Sequence, residues 1–337
     1  MPPTVVLGLV ILTAAATACG APSRSLPVTA LPLHRDAVVA LPGDPTRFDY
    51  ADVDPVAHRL FIAHLGDSAL VEVDTHTRLV IRTIPDLPAV HGVIVVPALH
   101  RVFATATGAG QVVMLNEDTG TVLTRTQAGE YPDGLAYVAA TNQVWISDES
   151  GGVETVIDAD TGGRVASVAL GGEAGNVRYD PIGNRMLVAV QSRNELVAID
   201  PVGRRIIGRF PVAGCEHSHG LAVDATRAFV ACDANDVLVV LSLSDLRPLA
   251  RLAVGAGPDV LAVDPPRQLL YVAAESGVLT TIDTRTPAGT ITGRASLASG
   301  AHVVAVNPLA GEAYFPLPTV LHGRPGLLIT TVPRTSR

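Results

Sequence analysis

Three histidines and three aspartates recur at nearly even intervals along this chain of 337 residues, which contains only ten histidines. In order they are Asp49, His91, Asp133, His219, Asp259 and His302. Gly175 stands at the corresponding position between Asp133 and His219. Imidazole nitrogens and carboxylate oxygens are common ligands of divalent metal ions. A bound metal could activate a water for hydrolysis or elimination, and His–Asp neighbours could exchange protons without one. We take these six residues as a candidate ligand site, with His91, His219 and His302 as candidate metal ligands.

The same interval separates repeated sequence segments. The clearest copies are DPVAHRLFIAHLGDSALVEVD (54–74), DPIGNRMLVAVQSRNELVAID (180–200) and DPPRQLLYVAAESGVLTTID (264–283). Each copy contains a turn, a strand, a short polar connection and a second strand that ends in Asp. Repeats of about this length are typical of β-propellers, in which each repeat forms one four-stranded blade. The repeat therefore predicts an all-β propeller.

Seven copies can be counted from the turn that follows each first strand. The turn positions are Pro55, Pro97, Ala139, Pro181, Ala225, Pro265 and Pro308, spaced 42, 42, 42, 44, 40 and 43 residues apart. The candidate site residues stand six positions before these turns, where the inner strands begin and where all blades meet at one mouth of the central channel. The seventh copy has three strands, and Asp36–Leu41 (DAVVAL) resembles the outer strands of other copies. We therefore expect a seven-bladed β-propeller whose last blade is closed by an N-terminal strand.

The details of the repeat resemble a known family. The Asp-Pro turn, the strand Leu270–Ala273 (LYVA) and the Val-x-x-Ile-Asp strand with its Thr-containing turn are similar to those of the YVTN-repeat, YncE-like bacterial propellers. The resemblance covers residues 36–332. It implies an exported propeller and no common reaction, so it assigns no functional residues. WD repeats are a poorer match, because Trp145 is the only tryptophan in the chain.

The first residues are typical of a targeting segment. Val5–Ala18 is apolar, too short to span a bilayer comfortably, and ends in small residues before Cys19. Residues 1–18 are therefore predicted to be a signal peptide, followed by a tether (19–35), the propeller (36–332) and a short tail (333–337). Ordinary cleavage after Ala18 and lipidation of Cys19, as in bacterial lipoproteins, remain alternatives. Either one predicts a periplasmic or cell-surface protein, with contact to a membrane only through a lipid anchor.

Charge and cysteine content narrow the possible partners. The net charge is −8 and the sequence has no cluster of Lys and Arg, which excludes an extended contact with nucleic acid phosphates. Besides Cys19 the chain has two cysteines, Cys215 and Cys232. In an oxidising compartment such a pair favours a disulfide. Of the other seven histidines, His217 lies beside the ring in the segment Cys215–His219 and adds a further imidazole there. The remaining six fall in turns or outer positions and are expected at the surface: His34, His58, His64, His76, His100 and His322.

Three functions remain open from the sequence. The first is an exported binding or interaction module that holds a small-molecule ligand, an envelope protein or a divalent metal ion at the channel mouth. The second is a metal-dependent hydrolase or lyase, in the manner of gluconolactonase-like or virginiamycin B lyase-like propellers, that uses the same residues. The third is an envelope scaffold with an inert channel. Asp and His can also satisfy exposed backbone groups at a wet mouth, so a structural role of the six residues stays open as well.

Overall fold

Seven antiparallel sheets of four strands each surround a central axis in the computed structural model, which describes residues 27–333. Neighbouring inner strands contact one another all the way around, and the inner strand of the first blade also contacts that of the last. The predicted seven-bladed β-propeller is confirmed. The predicted signal peptide (1–18), Cys19, residues 20–26 of the tether and residues 334–337 of the tail lie outside the described residues.

Each blade consists of four strands that run in order from the axis outwards. Blade 1 contains β2 (Ala51–Asp54), β3 (Arg59–His64), β4 (Ala69–Asp74) and β5 (Leu79–Ile84). Blade 2 contains β6 (Val90–Val96), β7 (Arg101–Ala106), β8 (Gln111–Asn116) and β9 (Val122–Gln127). Blade 3 contains β10 (Pro132–Val138), β11 (Gln143–Asp148), β12 (Val153–Asp158) and β13 (Arg164–Ala169). Blade 4 contains β14 (Ala174–Asp180), β15 (Arg185–Val190), β16 (Glu195–Asp200) and β17 (Arg205–Pro211). Blade 5 contains β18 (Ser218–Val223), β19 (Arg227–Cys232), β20 (Val237–Ser242) and β21 (Pro248–Ala253). Blade 6 contains β22 (Pro258–Asp264), β23 (Leu269–Ala274), β24 (Val278–Asp283) and β25 (Thr290–Ser296). Blade 7 contains β26 (Ala305–Asn307), β27 (Glu312–Leu321), β28 (Arg324–Thr331) and β1 (His34–Ala40).

Blade 7 takes its outer strand from the other end of the chain, as predicted. β1 pairs antiparallel with β28, and Val38 lies opposite Leu328. The strand begins two residues before the predicted start of the propeller, because His34 and Arg35 also pair with β28. This pairing covers the strand edge that an open last blade would expose.

The core lies between blades. The middle strands are buried on both faces, so they have continuous apolar runs such as Leu60–Ala63 in β3. The outer strands alternate, as in Arg205–Pro211, because only one face packs against a neighbouring blade. The Asp-Pro turns are closed by the aspartate itself: Asp54 Oδ1 accepts hydrogen bonds from the backbone N–H groups of Val56 and Ala57.

Close packing of the inner strands positions the channel residues. A Cβ on Gly92 would lie 2.2 Å from the carbonyl oxygen of Asp133, and one on Gly220 would lie 2.0 Å from that of Asp259. In each case the carbonyl belongs to the next blade. The inner strands can therefore approach this closely only because glycine stands at these two positions.

Apart from strands, the regular structure between residues 27 and 333 consists of five short 3-10 turns. None of the helical segments in this part of the chain is long and apolar enough to cross a membrane.

One buried carboxyl gives the fold a pH dependence. Glu154 in β12 is fully buried and accepts a 2.7 Å hydrogen bond from Ser147, and burial raises its pKa from 4.5 to about 8. Between these pH values the unfolded chain has released a proton that the folded chain keeps, so stability falls as pH rises. Glu154→Gln should leave the free energy of unfolding unchanged near about pH 4 and raise it by roughly 2–4 kcal/mol near about pH 8.5, measured with urea. The control is Glu130→Gln at an exposed position; parallel pH profiles for Glu154→Gln and the unsubstituted protein would contradict this reasoning.

Candidate functional site

The predicted site residues surround one end of the central channel. Asp49, His91, Asp133, His219 and Asp259 line a cavity of about 290 Å³ where the inner strands begin. His302 is buried beside it, with its Nε2 atom 3.9 Å from Asp259 Oδ2. We call this cavity the polar mouth. In blade 4 the corresponding residue is Gly175, for a steric reason: a Cβ at this position would lie 2.8 Å from the carbonyl oxygen of His219.

Both ring nitrogens of His91 are occupied by hydrogen bonds. Its Nδ1 lies 2.8 Å from the carbonyl oxygen of Ala89, which can only accept, so Nδ1 carries the proton. Its Nε2 lies 2.9 Å from the hydroxyl of Tyr131, which donates to it. The ring of Tyr131 also packs edge-on against the imidazole. His91 therefore has no free lone pair for a metal unless Tyr131 moves.

His302 has the same local geometry with one difference. Its Nδ1 lies 2.9 Å from the carbonyl oxygen of Gly300 and donates to it. Its Nε2 is buried and has no hydrogen-bond partner among the described residues. An imidazole that donates one N–H to a backbone carbonyl and presents its other nitrogen is the usual form of a histidine metal ligand.

Two carboxylates complete a group of possible metal ligands around His302. Ligand atoms of Asp259, Glu275 and His302 all lie within 4.8 Å of one another. Glu275 Oε2 is 3.6 Å from His302 Nδ1, and its side chain is partly exposed at the mouth. These three residues could hold a metal ion, and we call them the carboxylate–His302 cluster.

His219 is a partner of this cluster and is not in it. Its Nε2 lies 3.2 Å from Asp259 Oδ1. Burial acts to lower the pKa of His219, but the close contact with the negative charge of Asp259 outweighs burial and raises it to about 10. The charged imidazole in turn holds the pKa of Asp259 below its usual value, against the effect of burial. Of the three histidines predicted as metal ligands, the structure therefore places only His302 in a group with ligand spacing.

The charge balance of the polar mouth favours a cation. Six carboxylates line the cavity: Asp49, Asp133, Glu149, Asp233, Asp259 and Glu275. Arg47, the one Arg or Lys among the lining residues, lies 3.2 Å from Asp49 and 2.8 Å from Glu275. The charged imidazole of His219 adds a second positive charge, so the carboxylates still outnumber the cations. Burial and the neighbouring charge of Asp49 raise the pKa of Asp133 well above its usual value. Asp133 Oδ1 is buried without a hydrogen-bond partner among the described residues.

Several lining residues were not found from the sequence, although four of them carry a signal. Glu149, Gln191, Asp233 and Glu275 each follow the preceding one by 42 residues and stand just after the second strand of their blades. The same register analysis that found the ring would have found them. Arg47 and Tyr131 share one register in the connections that enter blades 1 and 3, but no other copy has an Arg or a Tyr at that position.

The cysteines and one further histidine lie near the same end of the channel. Cys215 and Cys232 are joined by a disulfide with Cα atoms 5.3 Å apart, which ties the segment before β18 to the end of β19. His64 was expected at the surface but is buried, where it stacks on Phe48 and contacts Thr46. Its position at the end of a middle strand explains the difference.

Comparison with known proteins supports the propeller fold and identifies no family and no function. The sequence matches no protein-family model and no curated protein. Among solved structures, a chain of Kuenenia stuttgartiensis hydrazine synthase is similar with a TM-score of 0.69 and 16% identity over 87% of this chain and 97% of that one. U3-55K has a TM-score of 0.75 and 11% identity, over 88% of this chain and 100% of its own. The RRP9 WD40 repeats have a TM-score of 0.74 and 10% identity, over 89% and 100%. At these identities the likeness shows a shared propeller fold alone.

The hydrogen bonds to Ala89 and Gly300 predict an unusual ring tautomer. We expect the neutral forms of both His91 and His302 to carry the proton on Nδ1, which nitrogen-15 NMR of the imidazole rings can detect. The exposed His322 is the control and should show mainly the Nε2–H form of a free imidazole. An Nε2–H form of neutral His302 would contradict the assignment, because its free lone pair would then face the Gly300 carbonyl.

Proposed function

We propose that the protein is a binding module that holds a divalent cation at the carboxylate–His302 cluster and uses it to bind a ligand at the polar mouth. The propeller provides a rigid disc, and the cavity above the cluster leaves space for a small molecule or for a loop of a partner protein. The observation that carries the proposal is the buried, unpartnered Nε2 of His302, which lies 3.9 Å from Asp259 Oδ2 in a group of residues with the spacing of metal ligands. A cation would supply the partner that this nitrogen lacks.

The donor set indicates the kind of cation. One imidazole nitrogen with two carboxylates suits first-row divalent ions such as Zn²⁺ better than Ca²⁺, which prefers a larger set of oxygen ligands. Three protein ligands leave at least one coordination position for water or for an anionic group of a bound ligand. The surrounding acidic residues would attract the cation to the mouth.

We further propose that the protein acts outside the cytoplasm and belongs with the YVTN-repeat, YncE-like propellers. The apolar segment Val5–Ala18, the repeat motif typified by Leu270–Ala273 and the Cys215–Cys232 disulfide support this placement. Lipidation at Cys19 would hold the disc close to a membrane, with either its polar mouth or its edge available to an envelope partner.

Metal affinity tests the proposal directly. His302→Ala and Glu275→Gln should each weaken Zn²⁺ binding by about tenfold or more, measured by competition with a chelator and by elemental analysis of the purified protein. Glu275 is exposed, so its substitution separates loss of the metal from loss of the fold.

The matched control is His91→Ala, which removes an imidazole from the same cavity. Because both nitrogens of His91 are already hydrogen-bonded, this variant should keep Zn²⁺ affinity within about threefold of the unsubstituted protein. A loss as large as that of His302→Ala would instead favour the ligand set of three histidines predicted from the sequence. Unchanged affinity in all three variants would contradict a metal site at the polar mouth.

A binding module also predicts the absence of turnover. The Zn²⁺-loaded protein should hydrolyse lactones and esters no faster than buffer with the same Zn²⁺ concentration. Hydrolysis that is present in the loaded protein and lost in Glu275→Gln would contradict a binding role and favour the metal-dependent hydrolase.

A further inference from the structure

A second cavity lies at the other end of the central channel. It has a volume of about 570 Å³ and is lined by the inner strands of all seven blades. Tyr50 lines both cavities and lies between them, where its hydroxyl donates a 2.9 Å hydrogen bond to Asn176 Oδ1 on the far side of the axis. We call this second space the lower cavity. It is separate from the carboxylate–His302 cluster and from the function proposed for it.

The walls of the lower cavity combine aliphatic side chains with polar groups. The side chains three positions before the blade turns include Asp52, Ile94, Ala136, Arg178, Ala262 and Ala305. Four of these six are aliphatic, and half-buried valines from neighbouring positions fill the space between them. The polar side chains of the wall are two charged residues, Asp52 in blade 1 and Arg178 in blade 4, and three tyrosines, Tyr50, Tyr137 and Tyr179.

The guanidinium of Arg178 is incompletely satisfied. Its Nη1 donates to the carbonyl oxygens of Val177, at 2.8 Å, and Leu135, at 3.4 Å. Its Nε and Nη2 make no hydrogen bond to any residue between 27 and 333 that the structure describes, and no carboxylate of those residues lies within 4.0 Å. An Arg keeps its charge even where burial disfavours it. A permanent cation thus lines the lower cavity without a contacting anion among the described residues.

Asp52, the nearby carboxylate of the lower cavity, does not pair with the guanidinium of Arg178. Its Oδ1 accepts a hydrogen bond from the backbone N–H of Val53, and its Oδ2 accepts one from that of Val95. These bonds hold the carboxylate against its own strand and the next one. The free face of the guanidinium therefore remains open to the lower cavity.

We propose that the lower cavity binds a small organic monocarboxylate, with its carboxylate on Arg178 and its hydrocarbon part against the alanines and valines. The planar fork of a guanidinium matches a carboxylate with two parallel hydrogen bonds. A single Arg suits one negative charge, because the second charge of a phosphate dianion would find no other cation among the residues that line the cavity. The hydrocarbon part gains free energy by leaving water for the apolar wall.

Asp52 makes the binding pH-dependent. Burial raises the pKa of Asp52 to about 6, and the charged groups that influence it are Arg178 and Asp54. An ionised Asp52 repels a bound anion and competes with that anion for the positive charge of Arg178. We therefore expect monocarboxylate affinity to rise several-fold as the pH falls from about 7.5 to about 5.5. Asp52→Asn should bind more tightly at about pH 7.5 and lose most of this pH dependence.

Hexanoate is a suitable probe, and its affinity can be measured by calorimetry or by NMR of the whole protein. Arg178→Gln should weaken hexanoate binding by about tenfold or more, because the charge-assisted pair is lost. Arg205→Gln is the matched control: it removes the same charge from an exposed position on the outer strand of the same blade and should leave the affinity unchanged. Equal losses in both variants would show a nonspecific charge effect and overturn the proposal.

A second variant tests the cavity without touching its charge. Ala262→Leu adds bulk to the half-buried wall, so it should weaken hexanoate several-fold while acetate, which lacks the long chain, keeps its affinity. Melting temperatures of all variants establish that they fold. Binding of hexylammonium in preference to hexanoate, or tighter hexanoate binding by Arg178→Gln, would contradict the assignment. Failure of the metal experiments at the polar mouth would not, since the two cavities share none of the charged groups involved.

Discussion

The close approach of adjacent inner strands is the constraint on which the rest of the structure depends. Gly92 and Gly220 each stand where the next blade presents a backbone carbonyl, and in both cases that carbonyl belongs to a ring aspartate. The contact that closes one blade against the next thus also sets the position of a site residue. Contacts between all seven pairs of neighbouring inner strands bring side chains from distant parts of the chain to one axis, and the pairing of β1 with β28 completes the circle.

The same inner strands give the two ends of the channel opposite chemistry. Where the strands begin, acidic side chains and imidazoles gather. Burial and the charge of Asp49 raise the pKa of Asp133, and the charge of Asp259 raises that of His219 against the effect of burial. Three residues further along, the side chains at the axis are mostly aliphatic, with Arg178 and Asp52 as isolated charges. The Tyr50–Asn176 hydrogen bond lies between these regions. A cation at one end and an organic anion at the other would each find the electrostatic environment that favours it.

The sequence predicted the fold in detail because a propeller repeats a local unit, and periodicity reports such units directly. It also placed the ring residues at the channel mouth, since register along a strand determines which end of the axis a residue reaches. It could not distinguish His91 from His302, because both occupy the same register and both bond a carbonyl two residues earlier. The difference comes from Tyr131, which reaches His91 from another blade. The sequence analysis did not identify Arg178 for a related reason. It is the only Arg among seven aligned positions, so the repeat pattern does not mark it.

The packing of the inner strands can be tested with one substitution, Gly220→Ala, and a matched control. The new methyl group would meet the backbone of Asp259, so we predict a loss of roughly 2–4 kcal/mol in the free energy of unfolding, measured with urea. Gly163→Ala lies in a turn of an outer hairpin, where the nearest atom is a threonine hydroxyl 3.3 Å away, and should change stability by less than about 0.5 kcal/mol. Equal stability of the two variants would contradict the account, because the inner strands would then not be packed closely enough to define either end of the channel.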